Sequence, residues 1–165
     1  MTFQVLVAAG CISLSIGLLF GILTCRRLRC KTIASFIEMI TFILRAVPVY
    51  VQLLIVYFVL PDLTHINMEA FTASIIALGT CSSAYTAQIV RCGINSIPVE
   101  QWESAFTLGF STKEALRHII FPQMVQNVLP AITNELDALL KSTAILSSIG
   151  LLELTRMGMN IVSRE

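Results

Sequence analysis

The sequence predicts an all-α, polytopic membrane protein that forms one domain over residues 1–165. Only 13% of its residues are charged, about half the share usual in soluble domains, while 56% are hydrophobic and the mean hydropathy is +0.82. The runs Met1–Cys25 and Ala70–Val90 contain no Asp, Glu, Lys or Arg, and each has the length of about 20 residues that a bilayer requires. A net charge of +1 gives no basic surface of the kind that binds nucleic acid.

The first predicted span covers residues 4–24, and basic residues follow it rather than precede it. These residues are Arg26, Arg27, Arg29 and Lys31. A secretory signal peptide carries its charges in front of the apolar run, so we expect a retained helix. The positive-inside rule places the cluster in the cytoplasm, and the first span therefore runs inward.

The second and third predicted spans cover residues 44–60 and 69–90. Glu38, Arg45 and Pro48 interrupt the apolar region from Ile33 to Leu60, so residues 33–44 are interpreted as a cytoplasmic-side helix or a lead-in. We expect Pro61 to end the second span, and the short loop that follows, without Lys or Arg, to lie outside. The third span returns the chain to the cytoplasm at Arg91.

The long polar stretch between the third and fourth spans predicts a cytoplasmic helix–turn–helix. Pro98 favours a helix start and Gly109 a helix end, and Ser111 with Glu114 has capping-box spacing. The fourth span is predicted over residues 124–150, with Pro122 and Pro130 flanking its entry. The mildly amphipathic tail after Gly150 is too short to span.

Ionisable side chains inside the fourth span are candidate functional groups, because a charge within a membrane helix is expensive. Helical periodicity places Glu135 on the same stripe as Ser142 and turns Asp137 away. A cavity-facing Glu135 would attract a substrate ammonium or guanidinium group. The alternatives are an internal ion pair and, for Lys141, snorkelling toward the membrane interface.

Enzyme and metal signatures are missing from the sequence. His65 and His118 stand outside any HExxH pattern, and the chain has neither a GxSxG motif nor a phosphate-binding GxxxxGK[ST] loop. The five cysteines show no zinc spacing. We therefore expect no catalytic residue, no metal and no cofactor bound by this chain itself.

The cytoplasmic segment over residues 92–122 resembles the EAA loop of ABC importer permeases, E-A-A-x3-G-x9-I-x-L-P. The matching positions are Glu103, Ser104, Ala105, Gly109, Ile119, Phe121 and Pro122. Ser104 replaces the second motif residue and Phe121 the leucine, while every spacing fits. The resemblance implies that this loop receives a separate ATPase subunit, which binds the ATP.

Further motifs are similar to those of one branch, the permeases of polar amino-acid importers of the histidine, glutamine and arginine type. They are Arg45-Ala46-Val47-Pro48, Val51-Gln52-Leu53, Tyr57-Phe58, Tyr85 to Ile94, Ile97-Pro98, Gln101-Trp102-Glu103, Thr133-Asn134-Glu135-Leu136 and Leu140-Lys141. The resemblance implies a type I permease fold in the inner membrane. It also implies three partners: the ATPase, a periplasmic or lipid-anchored binding protein, and a second permease copy. Candidate substrate-pathway residues are Asn134, Glu135, Lys141 and Ser142.

Two departures from the family pattern leave alternatives open. The family follows the lysine with an acidic residue, whereas Lys141 is followed in this chain by Ser142, which weakens a cationic specificity. Family members continue for one more transmembrane helix where this sequence stops, so a truncated, non-transporting remnant is one alternative. A secondary transporter or channel component without an ATPase is the other.

Overall fold

The computed structural model describes residues 1–28 and 31–163, so Arg29 of the predicted basic cluster lies outside the described residues. Within these ranges the chain forms seven helical segments. In chain order they are α1 (Thr2–Thr24), α2 (Lys31–Ala46), α3 (Val49–Thr64), α4 (Ala70–Asn95), α5 (Val99–Thr107), α6 (Thr112–Ile149) and α7 (Leu154–Val162). The predicted all-α fold is confirmed.

Two of these helices, α1 and α4, are long and apolar enough to cross a bilayer as single straight elements. Two further spans arise if each bent pair, α2 with α3 and α6 with α7, is taken as one crossing. The helix that contains the third predicted span, α4, continues past Val90 to Asn95.

The packing of α1 against α4 forms the centre of the fold, and small residues allow it. Ala9, Ser13, Gly17 and Gly21 recur at every fourth position of α1, and all four are buried. A Cβ at Gly17 would lie 2.5 Å from the Cβ of Thr86 on α4. A larger residue has no room at this point, so the two backbones approach as closely as helices with small-residue stripes do in membranes.

The second span differs from the continuous segment predicted over residues 44–60. The helix breaks at Val47–Pro48, and α2 and α3 meet there at an angle of 100°. Pro48 causes the break because it lacks an N–H and disfavours helical geometry in the residue before it. Gln52 stabilises the break, since its amide Nε2 donates to the Leu44 carbonyl (2.6 Å) and the Val47 carbonyl (2.9 Å).

Three other prolines lie within helices, including Pro61, which was expected to end the second span. Helix α3 continues through Pro61 to Thr64, where His65 adopts a left-handed conformation with φ of 56°. Helix α6 continues through both Pro122 and Pro130. A π-helical turn stands before Pro61 (Ile55–Val59) and another before Pro122 (Leu116–Ile120). The wider turns shift the hydrogen-bond register where the proline N–H is missing, so the helices continue.

The C-terminal helix α7 is anchored at its start and exposed along its length. Glu153, which is 2% exposed, accepts hydrogen bonds from the backbone N–H groups of Thr155 and Arg156 and so caps the helix. The Leu154 N–H donates to the Thr2 hydroxyl at the beginning of α1. Gly150, with φ of 83°, closes α6 as predicted.

Candidate functional site

The helix–turn–helix between α4 and α6 is the first candidate site. Helix α5 begins after Pro98 and ends in a Schellman motif, in which the Phe110 N–H donates to the Ala105 carbonyl (3.1 Å) and the Gly109 N–H to the Phe106 carbonyl (3.0 Å). Gly109 has a φ of +86°, which glycine adopts without strain. The sequence-predicted glycine turn is therefore present.

The second helix of this hairpin begins with the predicted capping box. The backbone N–H of Glu114 donates to the Ser111 hydroxyl, and the Glu114 carboxylate accepts from the Ser111 backbone and hydroxyl at 2.9 and 2.7 Å. These hydrogen bonds lower the pKa of Glu114 from its usual value. The turn between α5 and α6 is thus held on both sides by local hydrogen bonds.

The hairpin is also packed firmly against the helical bundle. Trp102 and Ala105 are 2% and 0% exposed, and they join a core with Val90, Ile94 and Met124. The Arg27 guanidinium lies 5.7 Å from the centre of the Trp102 ring, which connects the segment after α1 to α5. The hairpin is therefore fixed against α1 and α4 by buried contacts.

The predicted EAA-like residues fall into two groups. Glu103 and Ser104 are exposed on α5, and Gly109 and Pro122 are also exposed, whereas Ala105 is buried. Ile119 lies on α6 and is partly covered by the hairpin core, whereas Phe121 on the same helix is exposed. The exposed members lie on a surface that a partner could reach, and the buried ones hold the hairpin in place.

A cavity of about 410 Å³ is the second candidate site, and it opens where the break between α2 and α3 meets α4 and α6. Its lining carries one cation and one anion, Arg45 and Glu135, together with Ser82, Tyr85 and Ser142. Glu135 is half-buried, and its Oε1 accepts a hydrogen bond of 2.7 Å from the Ser82 hydroxyl. Glu135 and Ser142, which the sequence places on one stripe of the helix, therefore line the same cavity.

The other two tentative pathway residues, Asn134 and Lys141, lie outside the lining of this cavity. Asn134 is exposed on α6. Lys141 forms an ion pair with Asp137 (Nζ to Oδ2, 2.6 Å) one helical turn away, and both side chains are more than half exposed. Of the alternatives considered for Lys141, the structure supports the ion pair. Lys141 lies on a different side of α6 from the stripe that carries Glu135.

Sequence reasoning missed that Arg45 is the cation of the cavity, and it missed an ion pair between α2 and α4. Arg45 was noted only as a charge within an apolar run and as part of a motif; its Nε donates to the Thr41 carbonyl of the same helix at 3.2 Å. Glu38 pairs with Arg91 at 2.6 Å and joins α2 to α4. The charge of Glu38 within an apolar run was the available signal, but its partner Arg91 lies 53 residues away in the chain.

Comparisons with known proteins fit this architecture. The family described as "Binding-protein-dependent transport system inner membrane component" matches residues 14–162. The chain belongs to this family. The permease is 34% identical over 156 residues to "Arginine transport system permease protein ArtQ" of Bacillus subtilis, covering 94% of this chain and 70% of that relative.

Further relatives and solved structures give the same result. The permease is 34% identical to "Putative glutamine transport system permease protein GlnP" of Rickettsia prowazekii, covering 100% of this chain and 74% of the relative. The structure titled "Crystal structure of an amino acid ABC transporter with histidines" matches with a TM-score of 0.86 and 37% identity, over 99% of this chain and 75% of that one. These similarities support a permease subunit of an ABC importer rather than a secondary transporter or channel.

The fold extends to a more distant importer. An inward-facing structure of the MetNI methionine ABC transporter matches with a TM-score of 0.75 over 90% of this chain and 70% of that one, at 19% identity. At that identity the likeness concerns the fold alone. The type I permease architecture expected from the sequence is therefore confirmed, and its multi-pass helical arrangement agrees with a membrane component.

Proposed function

We propose that this permease forms the translocation pathway of an ATP-driven importer for polar or charged amino acids in the inner membrane. The observation that carries the proposal is the cavity lined by both Arg45 and Glu135. A free amino acid carries an ammonium and a carboxylate, and one anion and one cation in the same cavity complement both. The names of the ArtQ and GlnP relatives support this cargo class.

The hairpin of α5 and α6 is the proposed docking element for the ATPase subunit. Its exposed face carries Glu103, Ser104 and the Leu108 side chain, which is 74% exposed at the tip. A rigid turn fits a groove on a partner and passes on its movement, whereas a loose turn would absorb it. ATP is bound by that partner, so the permease itself requires no cofactor.

The remaining partners follow from the family to which the chain belongs. A binding protein delivers the amino acid to the outer side, and a second permease copy, identical or homologous, completes the pore. The family description names dependence on a binding protein. Large apolar side chains are exposed on several helices, among them Phe3, Phe36 and Phe58, and they supply surface for lipid and for the second copy.

The cavity is tested by a pair of carboxylate variants on the same helix. Glu135→Gln keeps the side-chain shape but removes the charge that faces the cavity, whereas Asp137→Asn removes an exposed charge outside it. In the assembled importer we expect Glu135→Gln to lower uptake of L-arginine or L-glutamine about tenfold or more, and Asp137→Asn to change it less than about twofold.

Copurification of the ATPase is measured on the same two variants. A cargo-contacting Glu135 predicts normal assembly with poor uptake. If Glu135→Gln lowers the yield of the complex while the surviving complex transports normally, the carboxylate is structural and the proposed cavity role is wrong.

A further inference from the structure

Three buried hydroxyl groups connect the cavity to the centre of the α1–α4 interface. The Ser82 Oγ contacts the Oε1 of Glu135 at 2.7 Å, the Ser13 Oγ contacts the Ser82 Oγ at 2.9 Å, and the Thr86 Oγ1 contacts the Ser13 Oγ at 2.8 Å. All three hydroxyl-bearing residues are at most 4% exposed. Of the three, only Ser82 lines the cavity.

The number of hydrogens on each group fixes the direction of this chain. An ionised carboxylate only accepts, and a hydroxyl has a single hydrogen to donate. Ser82 must therefore donate to Glu135 and accept from Ser13. Ser13, having used its hydrogen, must accept from Thr86. Every donor then points toward the carboxylate, and such chains strengthen each member by polarisation.

Close packing of α1 and α4 holds the far end of the chain in place. Thr86 lies against Gly17, where a Cβ would come within 2.5 Å of the threonine methyl carbon. The Thr86 methyl group is thus pressed against the α1 backbone, and its hydroxyl is left facing Ser13. The chain is rigid at the interface and meets the solvent-accessible cavity only at Ser82 and Glu135.

We infer that Thr86, Ser13 and Ser82 are positioning residues that orient the Glu135 carboxylate for cargo binding from behind the cavity wall. One oxygen of the carboxylate is held by Ser82, which leaves the other oxygen free to meet a cationic group of the amino acid. This inference rests on the proposed role of the cavity. It assigns a function to Ser13 and Thr86, which do not touch the cavity.

The test is equilibrium binding of radiolabelled L-arginine and L-glutamine to the purified importer complex. We expect Ser82→Ala to weaken binding about tenfold, and Ser13→Ala and Thr86→Val about threefold each. Ser83→Ala is the matched control, because Ser83 is equally buried on α4 but donates to the Thr80 carbonyl of its own helix. We expect this control to bind within about twofold of the wild type.

Thr86 offers a way to separate hydrogen bonding from packing. Thr86→Val keeps the shape and loses the hydroxyl, whereas Thr86→Ser keeps the hydroxyl and loses the methyl group that packs on Gly17. A positioning role predicts weaker binding in Thr86→Val and near-normal binding in Thr86→Ser. The reverse order would overturn the inference in favour of packing.

A double-mutant cycle then asks whether Ser13 acts through Glu135. In a Glu135→Gln background, Ser13→Ala should have no further effect on binding, because the oriented charge is already gone. Equal effects of Ser13→Ala in both backgrounds would overturn the inference. Failure of the proposed function looks different: Glu135→Gln itself would then bind both amino acids as well as the wild type does.

Discussion

The turn between α5 and α6 gives the sharpest prediction, because replacing Gly109 perturbs the backbone and nothing else. A Cβ at this position meets no atom within 4 Å, so no clash contributes to the effect. The φ of +86° is the sole source of strain. An ordinary L-residue in the left-handed region costs about 1–2 kcal/mol, and a β-branched residue costs more.

This strain is expected to appear as weaker coupling to the ATPase. If Gly109→Val shifts the hairpin away from its Schellman geometry by that free energy, affinity for the ATPase falls about 5- to 30-fold. The substituents should rank Asn, Ala, Val from mildest to most severe, because Asn tolerates positive φ and Val resists it. The assay is copurification of the ATPase from solubilised membranes at matched permease levels, with transport measured alongside.

Gly158 supplies the matched control, since a Cβ there also meets open space while its helix has ordinary φ. Gly158→Val should insert, assemble and transport normally. Equal ATPase recovery and transport in Gly109→Val and wild type would refute the reasoning, as would equal losses in the two glycine variants.

Three further predictions follow from the same structure. Thr64, at the end of α3, should react as a single-cysteine variant with an impermeant probe from outside, and Thr112 only from inside; labelling of both from one side would contradict the predicted orientation. Gly17→Val should lower the free energy of unfolding of the solubilised permease, measured by thermal denaturation, by about 1–3 kcal/mol. Gly10→Ala should be tolerated, because its Cβ would meet Leu136 at an ordinary 3.7 Å. Because the folded-state pKa of Glu114 is lowered, its capping box should stabilise the hairpin above pH 4.5 and lose that contribution as the pH falls further. Amide hydrogen exchange of the hairpin measures this effect, and Glu114→Gln should remove the pH dependence.

Local signals in the sequence were enough for the hairpin, because its determinants lie within a few residues of one another. The Gly109 turn and the Ser111–Glu114 capping box each depend on spacings of three to six residues, and both are present. The uncharged runs that became α1 and α4 are equally local signals. Helical periodicity also placed Glu135 and Ser142 on one face, as the cavity lining shows.

The errors at Pro48 and Pro61 have a different physical origin. A proline predicts a break because it removes a hydrogen bond, but the cost depends on whether the preceding turn can widen. At Pro61 and Pro122 a π-helical turn accommodates the ring, whereas at Pro48 the chain bends by 100°. The Gln52 amide stabilises the bend through hydrogen bonds that no local sequence pattern predicts.

The polar contacts between helices could not be predicted, because each joins residues far apart in sequence. Ser13 lies within the uncharged run Met1–Cys25 and Thr86 within the family motif Tyr85 to Ile94, and neither pattern indicates a polar partner. Both sit on the α1–α4 interface only because Gly17 and Gly21 let the helices approach. The same close approach buries these hydroxyls away from solvent, and they bond to one another. The orientation of the cavity carboxylate therefore depends on close packing at the glycines of α1. For this reason Gly17 variants should weaken cargo binding even where the permease still assembles.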